Sequence, residues 1–246
     1  MMYSFLLVGQ SNMAGRGIPS EVEKIPNDGI YVLRNGRWWP MYVPVNPDRV
    51  TAGTNLAESF VYQFLQDHPG DTVGIIPCAD GGTALKQWLP GEVLYDHAVM
   101  MTSLAQRSST LAGILWHQGE SDCSEARYPL YKERASHILQ QLRADVGAPE
   151  VPVILGGLGD FLPKWEKGDL SNYVHVNAAL KEMADTLPGF GFASAEGLGA
   201  NPDNLHFSAK ALREFGLRYY EAFKRLAPEL SGGKEANLEV TEIEKL

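Results

Sequence analysis

Phe5-Leu6-Leu7-Val8-Gly9-Gln10-Ser11-Asn12-Met13-Ala14-Gly15 decides how this chain is read. The apolar run from Tyr3 to Val8 is short enough to be a buried strand, and it breaks into Gly, Gln, Ser and Asn, all turn formers. That order brings a hydroxyl, Ser11, to the carboxyl edge of a sheet, where open α/β sheets build their sites. Serine is also a common cap of turns and helices, so Ser11 taken alone suits a capping role equally well.

Outward from this stretch, strand-like runs alternate with helical ones. Gly29 to Leu33, Asp71 to Pro77, Leu111 to Trp116, Val151 to Leu155 and Phe190 to Ala193 read as strands. Residues 55–67, 93–108, 126–146, 173–187 and 207–226 carry helical spacing, the last with Leu212, Phe215, Tyr219 and Phe223 on one side. Arg37 to Asp48, rich in Pro and aromatics without a period, predicts an ordered loop, either a site wall or a surface loop pinned by Trp38 and Trp39. The alternation implies a parallel sheet with helices on both faces. With no repeat and no composition break, residues 1–228 are expected to form one domain. Residues 229–246 hold five Glu and two Lys with few large apolar groups, which predicts a loosely packed acidic tail.

The bulk numbers exclude several functions. Thirty Asp and Glu against 21 Lys and Arg give a net charge of -9, which argues against nucleic acid and against an anionic membrane surface. No apolar run approaches the roughly 18 residues of a membrane span. The start lacks a basic leader and a small-residue cleavage site, so a cytoplasmic location is expected, although a mature exported form would read the same. Two cysteines, Cys78 and Cys123, are too few for a disulfide framework or a structural zinc site, and no metal or other cofactor is expected.

Three turns after strands and one late loop supply the parts of a serine hydrolase. A serine hydroxyl needs a neighbouring base to become a nucleophile; His206 is the candidate, with Asp203 three residues earlier to orient its ring. A developing oxyanion needs fixed donors, and the N–H groups of Ser11 and Gly82 and the side-chain amide of Gln118 are suitable. Gln10 and Asn12 flank the serine, Asn12 also suiting a turn cap. Glu120 could orient a donor or form a structural ion pair. Arg16 could hold substrate or pair with an acid such as Glu120. Trp88 could stack on a sugar ring or simply pack. His117, next to Gln118 on a strand end, should face away from it and reads as structural.

Gly9-Gln10-Ser11-Asn12-Met13-Ala14-Gly15, Gly81-Gly82-Thr83, Trp116-His117-Gln118-Gly119-Glu120-Ser121-Asp122 and Asp203-Asn204-Leu205-His206 resemble, in order, the motif blocks of the SGNH hydrolase superfamily. The closer resemblance is to its carbohydrate acetylesterase branch, which contains sialate O-acetylesterases and acetylxylan esterases. The blocks span Gly9 to His206. Gln118 stands where the wider superfamily has Asn, a change that the carbohydrate branch shares. The resemblance implies a flavodoxin-like three-layer α/β/α sandwich on a central parallel five-stranded sheet. It also implies a serine esterase that removes O-acetyl groups from a small acetylated sugar or oligosaccharide, with Ser11 as nucleophile, His206 as base and Asp203 as acid. A plant-polysaccharide acetylesterase and a catalytically silent sugar-binding protein are the alternatives. An intact Ser11, Asp203 and His206 argues against the last.

Overall fold

The computed structural model describes residues 1–230; the acidic tail predicted at residues 229–246 lies almost wholly outside them. In chain order the regular elements are β1 (Met2–Gly9), α1 (Ser11–Ala14), β2 (Ile30–Arg34), β3 (Arg37–Pro40), α2 (Leu56–Asp67), β4 (Thr72–Pro77), α3 (Val93–Ala105), β5 (Thr110–His117), α4 (Tyr131–Asp145), β6 (Val153–Gly156), α5 (Tyr173–Thr186), β7 (Phe190–Ala193) and α6 (Ala209–Leu226).

The strands form one seven-stranded sheet in the order β3-β2-β4-β1-β5-β6-β7, an α/β architecture with helices on both faces. All neighbours are parallel except β2 and β3. The sheet is therefore wider than the five strands implied by resemblance. One added strand, β3, lies inside the stretch expected to be a loop. The Asn35-Gly36 turn folds Arg37–Pro40 back onto β2, pairing Trp39 with Val32 and Trp38 with Leu33. Trp38 and Trp39 thus decorate a sheet edge, and only the later part of the segment reaches the site.

β1 is central because it can be buried on both faces: Phe5, Leu6, Leu7 and Val8 have no solvent exposure. Phe5 meets Phe60, Phe64 and Phe223 edge-to-face at 4.7, 5.1 and 5.3 Å, which seats α2 and α6 side by side on that face. On the other face Trp116 of β5 packs with Trp88 and with Tyr131 of α4. Helix starts follow their local chemistry. Asn55 caps α2, its Oδ1 accepting from the Ala57 N–H at 2.7 Å while Glu58 Oε1 accepts from the Asn55 N–H at 2.7 Å. Ser208 caps α6 through the Ala211 N–H.

Register sets the site. Leu7 pairs with Pro77 and Gly9 with His117, so β4, β1 and β5 end at one level. The turns beginning at Gln10, Cys78 and Gln118 leave the sheet side by side there.

Candidate active site

Gly9 lets the chain turn out of β1. Its φ is +132°, and a Cβ there would lie 2.1 Å from the His117 carbonyl oxygen, so only glycine fits between β1 and β5. The Gln10 N–H then donates to that carbonyl at 2.9 Å, and Ser11 opens α1 with its Oγ at the sheet edge.

Ser11 Oγ lies 3.0 Å from His206 Nε2, and His206 Nδ1 lies 2.7 Å from Asp203 Oδ2. Asp203 Oδ1 accepts the N–H groups of Leu205 and His206, each at 3.0 Å. Partial burial pushes the Asp203 carboxyl up. These two N–H groups and the imidazole outweigh it and hold the carboxyl below the ordinary carboxylate range. The structure therefore brings together the three residues expected to act as nucleophile, base and acid. Asn12 fixes the loop that carries His206: its Oδ1 accepts from the Phe207 N–H at 3.1 Å, and its Nδ2 donates to the Leu205 carbonyl at 3.2 Å and to Glu120 Oε1 at 2.6 Å. That is a brace between two turns rather than a simple cap.

Glu120 is buried, and His117 Nε2 lies 3.4 Å from its Oε1. Burial works against its charge, but His117 and Asn12 keep its carboxyl below the usual range. His117, fully buried against Phe207 and Phe215, is structural as expected.

One expectation is corrected, and two open alternatives are decided: Trp88 packs, and Arg16 pairs with an acid. Gln118 does not present its amide to the pocket. It is fully buried, and its Nε2 donates inward toward Asp122 Oδ2 at 2.6 Å, the Thr83 carbonyl at 3.1 Å and Gln10 Oε1 at 3.2 Å. Two amide hydrogens facing three acceptors leave nothing for an oxyanion. Trp88 is 1 % exposed, stacked edge-on against Trp116 with its Nε1 donating to Thr83 Oγ1, so no sugar reaches it. Arg16 pairs with Asp48, not Glu120, through two bonds of 3.0 and 2.7 Å.

The Asp48 contact belongs to a clamp that no spacing in the sequence announces. Asn46 accepts the Ala79 N–H at 3.0 Å and returns its own N–H to the Ala79 carbonyl at 2.9 Å. Asp48 Oδ2 accepts the Gly81 N–H at 2.8 Å, and Arg49 donates to Asp80 Oδ1 and to the Gly81 carbonyl. The chain from Ala79 to Gly81 is thus held residue by residue, and it ends at Gly82. That glycine has φ +78° and open space where a Cβ would stand. Neither the Gly82 nor the Ser11 N–H finds an acceptor among the described residues.

Ser11, Gly82 and His206 line a pocket of about 490 Å³. Gln10, Arg16, Arg49, Glu120 and Ser121 add to its polar wall, and Trp165, Leu170 and Leu205 form its apolar one. Trp165 and Leu170 come from the segment after β6, which carried no motif to flag them. Cys78 and Cys123 are buried free thiols, pushed up in pKa by that burial. Among the described residues no cluster of His, Cys, Asp or Glu could hold a metal ion, and no helix is long and apolar enough to cross a membrane.

Comparison with known proteins decides the family. The model of carbohydrate esterases described as sialic acid-specific acetylesterases matches residues 2–225. The chain belongs to this family. As a carbohydrate esterase it is a carboxylic ester hydrolase. It is 28% identical over 250 residues to an Arabidopsis thaliana protein named "Probable carbohydrate esterase", covering 89% of each chain. The X-ray structure of that plant protein superposes with a TM-score of 0.81 at 26% identity, covering 91% of this chain and 98% of that one. A carbohydrate acetylesterase from Xanthomonas citri shares the fold with a TM-score of 0.71 at 21% identity, over 92% of this carbohydrate esterase and 56% of the other chain.

Proposed function

We propose that this chain is a serine O-acetylesterase acting on an acetylated sugar, with O-acetylated sialic acid as the preferred substrate. The observation that carries the reading is the unbroken line from Ser11 Oγ through His206 to Asp203, at 3.0 and 2.7 Å, opening on a pocket where two backbone N–H groups are unspent. Ser11 Oγ attacks the acetyl carbonyl while His206 Nε2 takes its proton. Asp203 keeps the Nδ1 hydrogen in place and stabilises the imidazolium. The tetrahedral oxyanion forms against the N–H groups of Ser11 and Gly82. The sugar oxygen leaves with the proton held by His206, and a water activated by the same imidazole releases acetate. The family's description as sialic acid-specific supports the choice of sugar.

The test is hydrolysis of 4-nitrophenyl acetate by wild type and by Ser11→Ala. Turnover falling by on the order of 10⁴-fold or more in the variant is expected; retained turnover would move the nucleophile elsewhere. Comparing O-acetylated sialic acid with acetylated xylan fragments then decides the sugar. Faster cleavage of the xylan ester overturns the sialate assignment, and hydrolysis of neither ester points to a binding protein on the same fold.

A further inference from the structure

With Trp88 sealed in the core, the aromatic surface of the pocket falls to Trp165. This side chain is half-buried and lines two cavities: the one of about 490 Å³ that holds Ser11, and a second of about 280 Å³ between residues 165–167 and 202–206. Leu205 and His206 are common to both, so the cavities adjoin at the proposed base. The indole packs against the hydrophobic core, and Gly168 lies so close that a Cβ there would meet the ring at 2.7 Å; the Trp165 backbone is tied by its N–H to the Leu162 carbonyl at 3.1 Å. A fixed, half-exposed indole presents a flat apolar surface with little ordering entropy left to lose, and the C–H face of a pyranose ring is its shape and polarity match. The smaller cavity adds Glu166, Lys167 and Asn204, which accept from and donate to hydroxyls. A base that returns its proton to the departing oxygen must lie within hydrogen-bond reach of it, so the leaving alcohol sits beside His206, where the two cavities meet.

We propose that Trp165 is the stacking platform for the leaving sugar, and that residues 165–167 and 202–206 form a saccharide subsite running from the acetyl-binding pocket into the smaller cavity. The proposal rests on the esterase reading of the same site, and its test separates the two. Ser11→Ala is titrated with O-acetylated sialic acid and with acetylated xylobiose, following heat of binding. The same titration is run on Ser11→Ala carrying Trp165→Ala, Trp165→Phe or Trp39→Ala, the last an exposed indole at the β3 edge. Binding of either sugar that Trp165→Ala weakens about tenfold or more, that Trp165→Phe largely restores and that Trp39→Ala leaves alone is the expected result. In the otherwise wild-type chain, Trp165→Ala should lower kcat/KM for the sugar ester about tenfold further than for ethyl acetate, whose leaving group has no ring. A Kd indifferent to Trp165, no sugar bound at all, or equal losses on both esters overturns the subsite. Failure of the esterase reading shows separately, as hydrolysis of ethyl acetate that does not depend on Ser11.

Discussion

Two carboxylates support the two sides of the pocket, and they do so in opposite surroundings. Asp203 is three residues from His206, and its side chain is 46 % exposed. Asp48 is 32 residues from Arg16, and their side chains are 3 % and 7 % exposed. The first pair is made within one loop and is partly wet, so it can be lost with little harm to the fold. The second is buried and bridges distant segments, and Asp48 also holds the Gly81 N–H. Breaking it strands a guanidinium in the interior. On the proposed mechanism one arm carries proton chemistry through a local contact that the fold can spare; the other holds the Gly82 turn with a contact the fold itself needs.

The sharpest way to break this contrast is Asp203→Asn. Turnover should fall by about 10³- to 10⁴-fold, because the amide favours the wrong imidazole tautomer, while the denaturation midpoint at neutral pH moves little. The pH dependence has a definite sign. The folded carboxyl titrates below its unfolded value of about 3.9, so its contribution is present above that value and is lost as pH falls through the lower folded one. Urea midpoints of wild type and variant should therefore converge below about pH 4; a gap that persists there would assign the stabilising contacts to something other than the charge.

Asp48→Ala comes next, with a loss of about 3–5 kcal/mol in folding stability from the unpaired Arg16, read by urea denaturation. The double variant Arg16→Met with Asp48→Leu should recover much of that stability but not turnover, because the Gly81 N–H still lacks its acceptor. Full recovery of both would reduce the clamp to packing. The smallest effect belongs to Arg49→Ala. Its pair with Asp80 is exposed at 50 % and 31 %, so about 1 kcal/mol or less is expected, shrinking further in high salt. A larger loss would make the exposed half of the clamp as important as the buried half.

The same contrast explains what could be read from the sequence. Asp203 and His206 are close in the chain, Ser11 follows an unmistakable buried strand, and alternating periods give the layered sheet, so all of these were legible. Asn46 and Asp48 act on residues 33 positions away, through side chains in a segment with no period. No local pattern predicts such a partner. Gln118 is misread, and the choice between stacking and packing for Trp88 stays open, for another reason. One stands in a motif and the other near one, but position in the chain does not say which way a side chain turns. Asp122, Thr83 and Gln10 draw the Gln118 amide inward, and a short 3-10 turn at Leu85–Trp88 points the indole at Trp116. The extra strand β3 was hidden because it is short, aromatic and at an edge, where one face needs no apolar alternation.

Ser11 and His206 are separated by 195 residues of chain. During synthesis Ser11 emerges well before His206, which comes just ahead of α6, the helix that packs against α2. A chain stopped anywhere between them holds the proposed nucleophile without the proposed base. On the proposed mechanism ester hydrolysis needs both ends of this span, so its first appearance on a translating or refolding chain reports that Ser11 and His206 have met.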